Sequence, residues 1–100
     1  MIEISAIELK EKINNKETML VDFFATWCGP CKMLSEELNK IDTTVPIYKV
    51  DVEEDVELSK LMGIRSVPAL KFIKEGGIVS TTIGLKSAKE INSLIVENLV

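Results

Sequence analysis

The segment TWCGPCK, residues 26–32, holds both cysteines of a chain that contains no histidine. Two thiols separated by two residues can contribute to a metal site, close a small structural disulfide, or undergo reversible oxidation. Structural zinc needs four ligands, so a metal site here would require four thiolates shared across a dimer. A purely structural disulfide is disfavoured, because closing so short a loop removes little conformational entropy from the unfolded chain.

The spacing favours a redox-active pair. Cys28 falls at or just before the first turn of a predicted helix, where free backbone amides and the helix dipole stabilise a thiolate. Pro30 suits the first helical position, because its missing amide hydrogen would have no partner there. Cys31 lies on the apolar face of the same helix, so we expect an exposed, activated Cys28 beside a shielded Cys31. In thiol–disulfide exchange the outer thiolate attacks a substrate disulfide, and the inner thiol then resolves the mixed disulfide.

The flanking segments predict the strand and the helix that would position this pair. Residues 19–25, MLVDFFA, are almost continuously apolar, which is typical of a central strand buried on both faces. The next helix has an apolar stripe at helical spacing, formed by Cys31, Leu34, Leu38 and Ile41. Residues 45–51 predict another strand, and strand, helix and strand indicate a βαβ unit with parallel strands. The cysteines then follow the carboxyl end of a strand, where functional groups of such sheets collect.

Six further elements are predicted from apolar periodicity, capping boxes and turn residues. They are, in chain order, a strand over 2–4, a helix opened by Ser5 and Glu8, a helix over 54–62, a hairpin of strands 69–74 and 78–83 around EGG, and a helix opened by Ser87 and Glu90. Together the elements predict one α/β domain over residues 1–100 with a mostly parallel sheet.

Composition narrows the class of protein. One hundred residues, 46% apolar and 28% charged, are typical of a globular domain. The net charge of −4, with scattered basic residues, gives no indication of nucleic-acid binding. The start, MIEIS, has no basic region of a signal peptide, and no apolar run approaches the roughly 20 residues of a membrane span. We therefore expect a cytoplasmic monomer with no bound cofactor or metal, in a reducing setting where a CxxC pair is not a permanent disulfide.

Four segments resemble the thioredoxin family: VDFFATWCGPCKM, KVDVEE, GIRSVPALKFIKEGG and IGLKS. They occur in the family's order and spacing, and a CxxC beside a βαβ pattern is typical of it. The resemblance covers essentially the whole chain. It implies the thioredoxin fold, an α/β fold with a five-stranded mixed sheet flanked by four helices. It also implies reduction of protein disulfides through a reversible Cys28–Cys31 disulfide, which a flavin-dependent thioredoxin reductase would recharge.

The resemblance also implies roles for individual residues. Cys28 matches the nucleophile, Cys31 the resolving thiol, and Asp22 the buried acid beneath the active site. Pro68 matches a cis-proline in the loop that faces the cysteines, and Gly84 a glycine that lets a substrate backbone approach closely. The expected apolar docking rim consists of Trp27, Gly29, Pro30, Ile64, Val67 and Leu85.

Asp22 lies in an apolar strand, so we expect burial to raise its pKa by disfavouring the carboxylate. The alternative is a strand-edge aspartate turned toward solvent. We expect Ile47 to lie opposite Asp22, where some family members have a lysine near this acid, which predicts that no ammonium offsets the rise. Lys49, on the same strand face, is the nearest cationic candidate. A carboxyl with a raised pKa near Cys31 could take that thiol's proton during resolution of the mixed disulfide.

Two other functions stay open on the sequence alone. Oxidases and isomerases of this fold typically place a histidine between the cysteines; Gly29 and Pro30 supply no such charge, which favours a reductant. A non-catalytic binding module would instead hold its partners at the rim around Trp27, independently of the redox state of the cysteines.

Overall fold

The computed structural model describes all residues from Met1 to Val100 and contains nine regular elements. They are β1 (Ile2–Glu3), α1 (Ala6–Asn14), β2 (Met19–Phe24), α2 (Gly29–Asn39), β3 (Ile47–Asp51), α3 (Val56–Leu61), β4 (Ala69–Lys74), β5 (Gly77–Ile83) and α4 (Ala88–Leu99). The strands form one sheet in the order β1-β3-β2-β4-β5. The first three are parallel to one another, and β4 and β5 are antiparallel to their neighbours. The predicted α/β fold with a five-stranded mixed sheet and four helices is confirmed.

Strand β2 occupies the middle of the sheet, and its side chains alternate between two hydrophobic cores. Met19, Val21 and Phe23 belong to the core that contains α1 and α3 residues. Leu20 belongs to the other core, together with residues of α2 and α4 such as Leu34. Because side chains on a strand alternate in direction, Asp22 shares the face of Leu20 and lies on the side of α2. The apolar run therefore has the buried central position that its composition predicts.

Three element starts differ from the sequence prediction. Strand β5 begins at Gly77, one residue early, and the other two differences have a local chemical reason. Strand β3 begins at Ile47 rather than at residue 45, because Pro46 has no amide hydrogen to give to a ladder. Helix α3 begins at Val56 rather than at residue 54. The Asp55 side chain is its N-cap and accepts a hydrogen bond from the Leu58 amide at 2.9 Å.

The two predicted capping boxes form to different extents. At α1 the box is complete: the Ser5 hydroxyl accepts from the Glu8 amide, and the Glu8 carboxylate accepts from the Ser5 amide, each at 3.1 Å. At α4 the Ser87 hydroxyl accepts from the Glu90 amide, but it also donates its own hydrogen to the Glu90 carboxylate. The carboxylate of Glu90 therefore binds a hydroxyl instead of the backbone, and the second box is only half formed.

Glu37 connects the helix that carries the cysteines to α4. Its carboxylate accepts a hydrogen bond of 2.9 Å from the amide of Ala88, the first residue of α4, and pairs with Lys40. Hydrogen bonds from the Lys40 ammonium and, to a smaller extent, from the Ala88 amide hold the pKa of Glu37 below its usual value. A negative charge at this helix start also interacts favourably with the helix dipole.

We predict that Glu37→Ala lowers the melting temperature, because the Ala88 amide loses its acceptor and α2 loses its polar link to α4. The exposed neighbour Glu36 makes no such bond, so Glu36→Ala is the matched control and should change the melting temperature little. Thermal unfolding followed by circular dichroism measures both variants. Equal melting temperatures for the two variants would contradict a structural role for the Glu37–Ala88 bond.

Candidate active site

The two cysteines lie where β2 ends and α2 begins. Cys28 is the N-cap of α2 with an extended backbone, and its sulfur accepts a hydrogen bond from the Cys31 amide at 3.2 Å. The two side chains form a disulfide, with 5.3 Å between their Cα atoms. Gly29 is the first helical residue, so Pro30 stands at the second position and not at the predicted first. The second position also has an amide without a helical partner, so proline costs no hydrogen bond there.

Exposure does not distinguish the two cysteines in the way that the sequence predicts. Cys28 is 4% exposed and Cys31 is 3% exposed, so the prediction of an exposed Cys28 is wrong. The reason is that both pack with Ala25 and Val67 in a small apolar cluster, and the Val67 carbonyl oxygen lies 4.0 Å from the Cys28 sulfur. What distinguishes the two is their position on the helix, since Cys28 is its N-cap and Cys31 lies in its first turn.

The loop before β4 faces the disulfide and is tied to the segment after β5. The peptide bond between Val67 and Pro68 is cis, as the resemblance implies. The Gly84 amide donates a hydrogen bond of 2.8 Å to the Pro68 carbonyl. Gly84 has a φ of +86°, which favours glycine, and no atom lies within 4 Å of the place that a Cβ would occupy. This space is open to an approaching backbone.

The residues of the expected docking rim are divided between two separate clefts. Trp27, Ile64 and Val67 line one open cleft of about 510 Å³, and Trp27 is 72% exposed. Leu85 lines a separate cleft of about 350 Å³ together with Met33. Gly29 and Pro30 are exposed on the first turn of α2.

Two exposed apolar residues belong to these clefts and were missed by sequence reasoning. They are Met33 on α2 and Val56 on α3. For Met33 the sequence does contain a signal, because this residue falls outside the buried stripe of Cys31, Leu34 and Leu38 on the same helix. Val56 gives no comparable signal, because α3 is too short to define an apolar face.

Asp22 is completely buried on the side of the sheet that α2 covers, and neither of its carboxylate oxygens has a hydrogen-bond partner. The alternative of a solvent-facing aspartate is therefore wrong. Burial raises the pKa of Asp22 from 3.8 to about 7, and the nearby charge of Lys49 opposes part of that rise. The group can consequently change its protonation state near neutral pH.

The prediction that no ammonium offsets the rise is wrong, because the strand register differs from the one assumed. Ile47 pairs with Leu20, whereas Lys49 is the direct partner of Asp22 in the β2–β3 ladder. The Lys49 ammonium lies 4.8 Å from the centre of the Phe24 ring, at cation–π distance. It makes no ion pair with Asp22, so it lowers the pKa of this carboxyl only by longer-range electrostatic attraction.

A third cleft, of about 320 Å³, opens beside Cys31. Its polar lining includes Lys32, Ser35 and Lys49. No three histidine, cysteine, aspartate or glutamate side chains lie together so that they could hold a metal ion. None of the helices is long and apolar enough to cross a membrane.

The thioredoxin family model matches residues 1–97. The chain belongs to the thioredoxin family. It is 37% identical to a thioredoxin of Malassezia sympodialis over 87 residues, which cover 82% of this chain and 83% of that relative. It is 36% identical to the thioredoxin of Bacillus subtilis (strain 168) over 85 residues, covering 81% and 82% of the two chains.

Solved thioredoxin structures have the same fold. A thioredoxin mutant from Halobacterium salinarum NRC-1 superposes with a TM-score of 0.90 at 29% identity, covering 99% of this chain and 90% of that chain. The Malassezia sympodialis thioredoxin superposes with a TM-score of 0.85 at 34% identity, covering 98% and 90%. Thioredoxin-family membership and the adjacent cysteine pair support a thiol–disulfide oxidoreductase.

We predict that Asp22→Asn stabilises the protein at neutral and alkaline pH. Below about pH 3.8 Asp22 is protonated in both the folded and the unfolded state, so it causes no penalty there. Between that pH and about 7 the unfolded chain ionises first, and the free energy of unfolding falls by up to roughly 4 kcal/mol. Asparagine does not ionise, so the gain in the free energy of unfolding of Asp22→Asn over the wild type should be largest near pH 8 and disappear near pH 4.

Chemical denaturation of both proteins across this pH range measures the difference. Asp42→Asn is the matched control, because Asp42 is exposed, and it should retain the pH dependence of the wild type. An Asp22→Asn variant that is less stable than the wild type at pH 8 would show that the buried carboxylate does not destabilise the fold.

A second prediction concerns the cation opposite Asp22. Lys49→Met keeps a long apolar side chain but removes the ammonium, so the pKa of Asp22 should rise above about 7. An NMR titration of the Asp22 carboxyl carbon measures this. Lys32→Met, a change in the other lysine of the same cleft, should leave that titration nearly unchanged. An unchanged or lowered pKa in Lys49→Met would contradict the electrostatic influence of Lys49.

Proposed function

We propose that this protein reduces the disulfides of other proteins by dithiol exchange through its CGPC segment. The observation that supports this most is the disulfide itself: the two sulfurs are bonded to each other at the start of α2, beneath the Val67 carbonyl. A pair that forms this bond in its own fold can release two electrons to a substrate and end in that same oxidised state.

Cys28 acts as the nucleophile. In the reduced protein its thiolate attacks one sulfur of the substrate disulfide, forms a mixed disulfide, and displaces the other substrate sulfur as a thiolate, which takes up a proton. The N-cap position favours this thiolate, since the same sulfur accepts the Cys31 amide hydrogen in the oxidised structure.

Cys31 resolves the intermediate. Its thiol loses a proton and attacks the Cys28 sulfur, which releases the second substrate thiolate and forms the Cys28–Cys31 disulfide. Asp22, whose pKa of about 7 suits proton exchange near neutral pH, accepts that proton as general base, directly or through a water. Two electrons have then passed from the dithiol to the substrate.

The substrate docks as an extended segment across the loop at Val67 and Pro68, with Gly84 giving its backbone room. Apolar side chains of the substrate pack on the docking rim, which consists of Trp27, Gly29, Pro30, Ile64, Val67 and Leu85. A flavin-dependent thioredoxin reductase then reduces the Cys28–Cys31 disulfide and completes the cycle. The protein performs this cycle as a monomer in the cytoplasm, with no bound cofactor.

We predict that Cys31→Ser accumulates mixed disulfides with its substrates, because Cys28 can still attack but nothing resolves the adduct. Cys28→Ser should be inactive and trap almost nothing. Incubation with a disulfide-containing protein, followed by non-reducing electrophoresis and mass spectrometry, measures the adducts. Adducts formed by Cys28→Ser and absent from Cys31→Ser would reverse the two roles.

A further inference from the structure

The cleft beside Trp27 has a local charge opposite to that of the whole chain. The chain carries a net charge of −4, yet this cleft is lined by two cationic side chains, Lys60 and Arg65, and one carboxylate, Glu53. At about 510 Å³ it is larger than the cleft lined by Leu85 and the cleft beside Cys31. The side chains that line this cleft therefore carry a net charge of +1 in an acidic protein.

The two cationic side chains of this cleft make no ion pair within the protein. The ion pairs of the structure join Lys10 to Asp55, Lys12 to Glu17 and Lys40 to Glu37. Neither Lys60 nor Arg65 takes part in one, and both residues are exposed. A guanidinium and an ammonium that are free and solvated can bind carboxylates of a partner without breaking an existing pair.

The position of Arg65 connects this charge to the exchange reaction. Arg65 comes two residues before Val67, whose carbonyl oxygen lies 4.0 Å from the Cys28 sulfur. Since a chain advances at most about 3.5 Å per residue, the two Cα atoms lie within roughly 7 Å. The apolar part of the cleft, with Trp27 72% and Val56 55% exposed, lies beside it.

We infer that this cleft selects disulfide-bearing segments in which an acidic residue and an apolar residue flank the reacting cysteine. The apolar side chain packs on Trp27 and Val56, and the carboxylate pairs with Arg65 and with Lys60. Glu53 opposes this preference and moderates it. The inference rests on the proposed reduction of protein disulfides and adds the class of substrate segment that the site prefers.

The test uses three symmetric peptide disulfides that carry leucine on one side of the cysteine and differ only at the residue on its other side, which is Glu, Gln or Lys. Reduction is followed with dithiothreitol as the recycling reductant, after subtraction of its direct reaction with each peptide. We expect kcat/KM to fall in the order Glu, Gln, Lys, by roughly two- to fivefold per step at low salt. The differences should shrink in about 0.5 M salt, because exposed charges are then screened.

Substitutions of the cationic and the acidic residues in the cleft should change the preference for the Glu peptide in opposite directions. Arg65→Gln should lower the ratio of the rates for the Glu and Gln peptides, and Arg65→Glu should reverse the order. Glu53→Gln, which removes the opposing charge, should raise the preference for the Glu peptide. Lys89→Gln alters a lysine outside the cleft and is the matched control, with the selectivity of the wild type.

The outcomes separate the substrate preference from the proposed function. Equal rates on all three peptides, or a preference for the Lys peptide, would overturn the inference while leaving disulfide reduction intact. The inference would also be overturned if the ratios of the three rates stayed the same in both Arg65→Glu and Glu53→Gln. Failure to reduce any of the peptides above the dithiothreitol background would contradict both the inference and the proposed function.

Discussion

The hydrogen bond from the Cys31 amide to the Cys28 sulfur is the interaction on which the site depends. A helix start leaves amides without partners, and here a sulfur supplies the acceptor, so the redox group is also a structural cap. The rest of the fold holds this junction in place. Strand β2 is buried on both faces by two cores, and α2 is packed through Leu34 and Leu38 and bound to α4 through Glu37.

Asp22 destabilises the fold from within β2, the strand that the two hydrophobic cores hold in place. A carboxyl without a hydrogen-bond partner in the middle of the sheet costs stability whenever it ionises. Lys49 reduces that cost without removing it, because its ammonium lies over Phe24 and makes no direct pair with the carboxylate. Burial and the Lys49 ammonium together give Asp22 a pKa of about 7, so both its protonated and its ionised form are populated near neutral pH. A solvated aspartate or a tightly ion-paired one would stay ionised there.

The order and type of the elements could be predicted from the sequence, because each strand and helix has its own periodicity, cap or turn. The central position of β2 followed from its unbroken apolar run. Features that depend on how elements meet were predicted poorly. The partner of Asp22 was missed by two residues along β3, since pairing register is set by the whole sheet. The burial of Cys28 was missed although the resemblance placed the Val67–Pro68 loop opposite the cysteines, because how closely Val67 and Ala25 pack on this residue depends on the tertiary structure.

The most direct test of the account measures which thiol reacts in the reduced protein. The two cysteine residues are almost equally buried in the oxidised structure, so we attribute a large difference in reactivity to their places at the start of α2. The experiment is brief alkylation by iodoacetamide at pH 7, with mass spectrometry of the labelled peptides in the wild type and in each single Cys→Ser variant. The account predicts that Cys28 is labelled at least about tenfold faster than Cys31. Equal rates, or faster labelling of Cys31, would contradict an N-cap sulfur as the activated nucleophile.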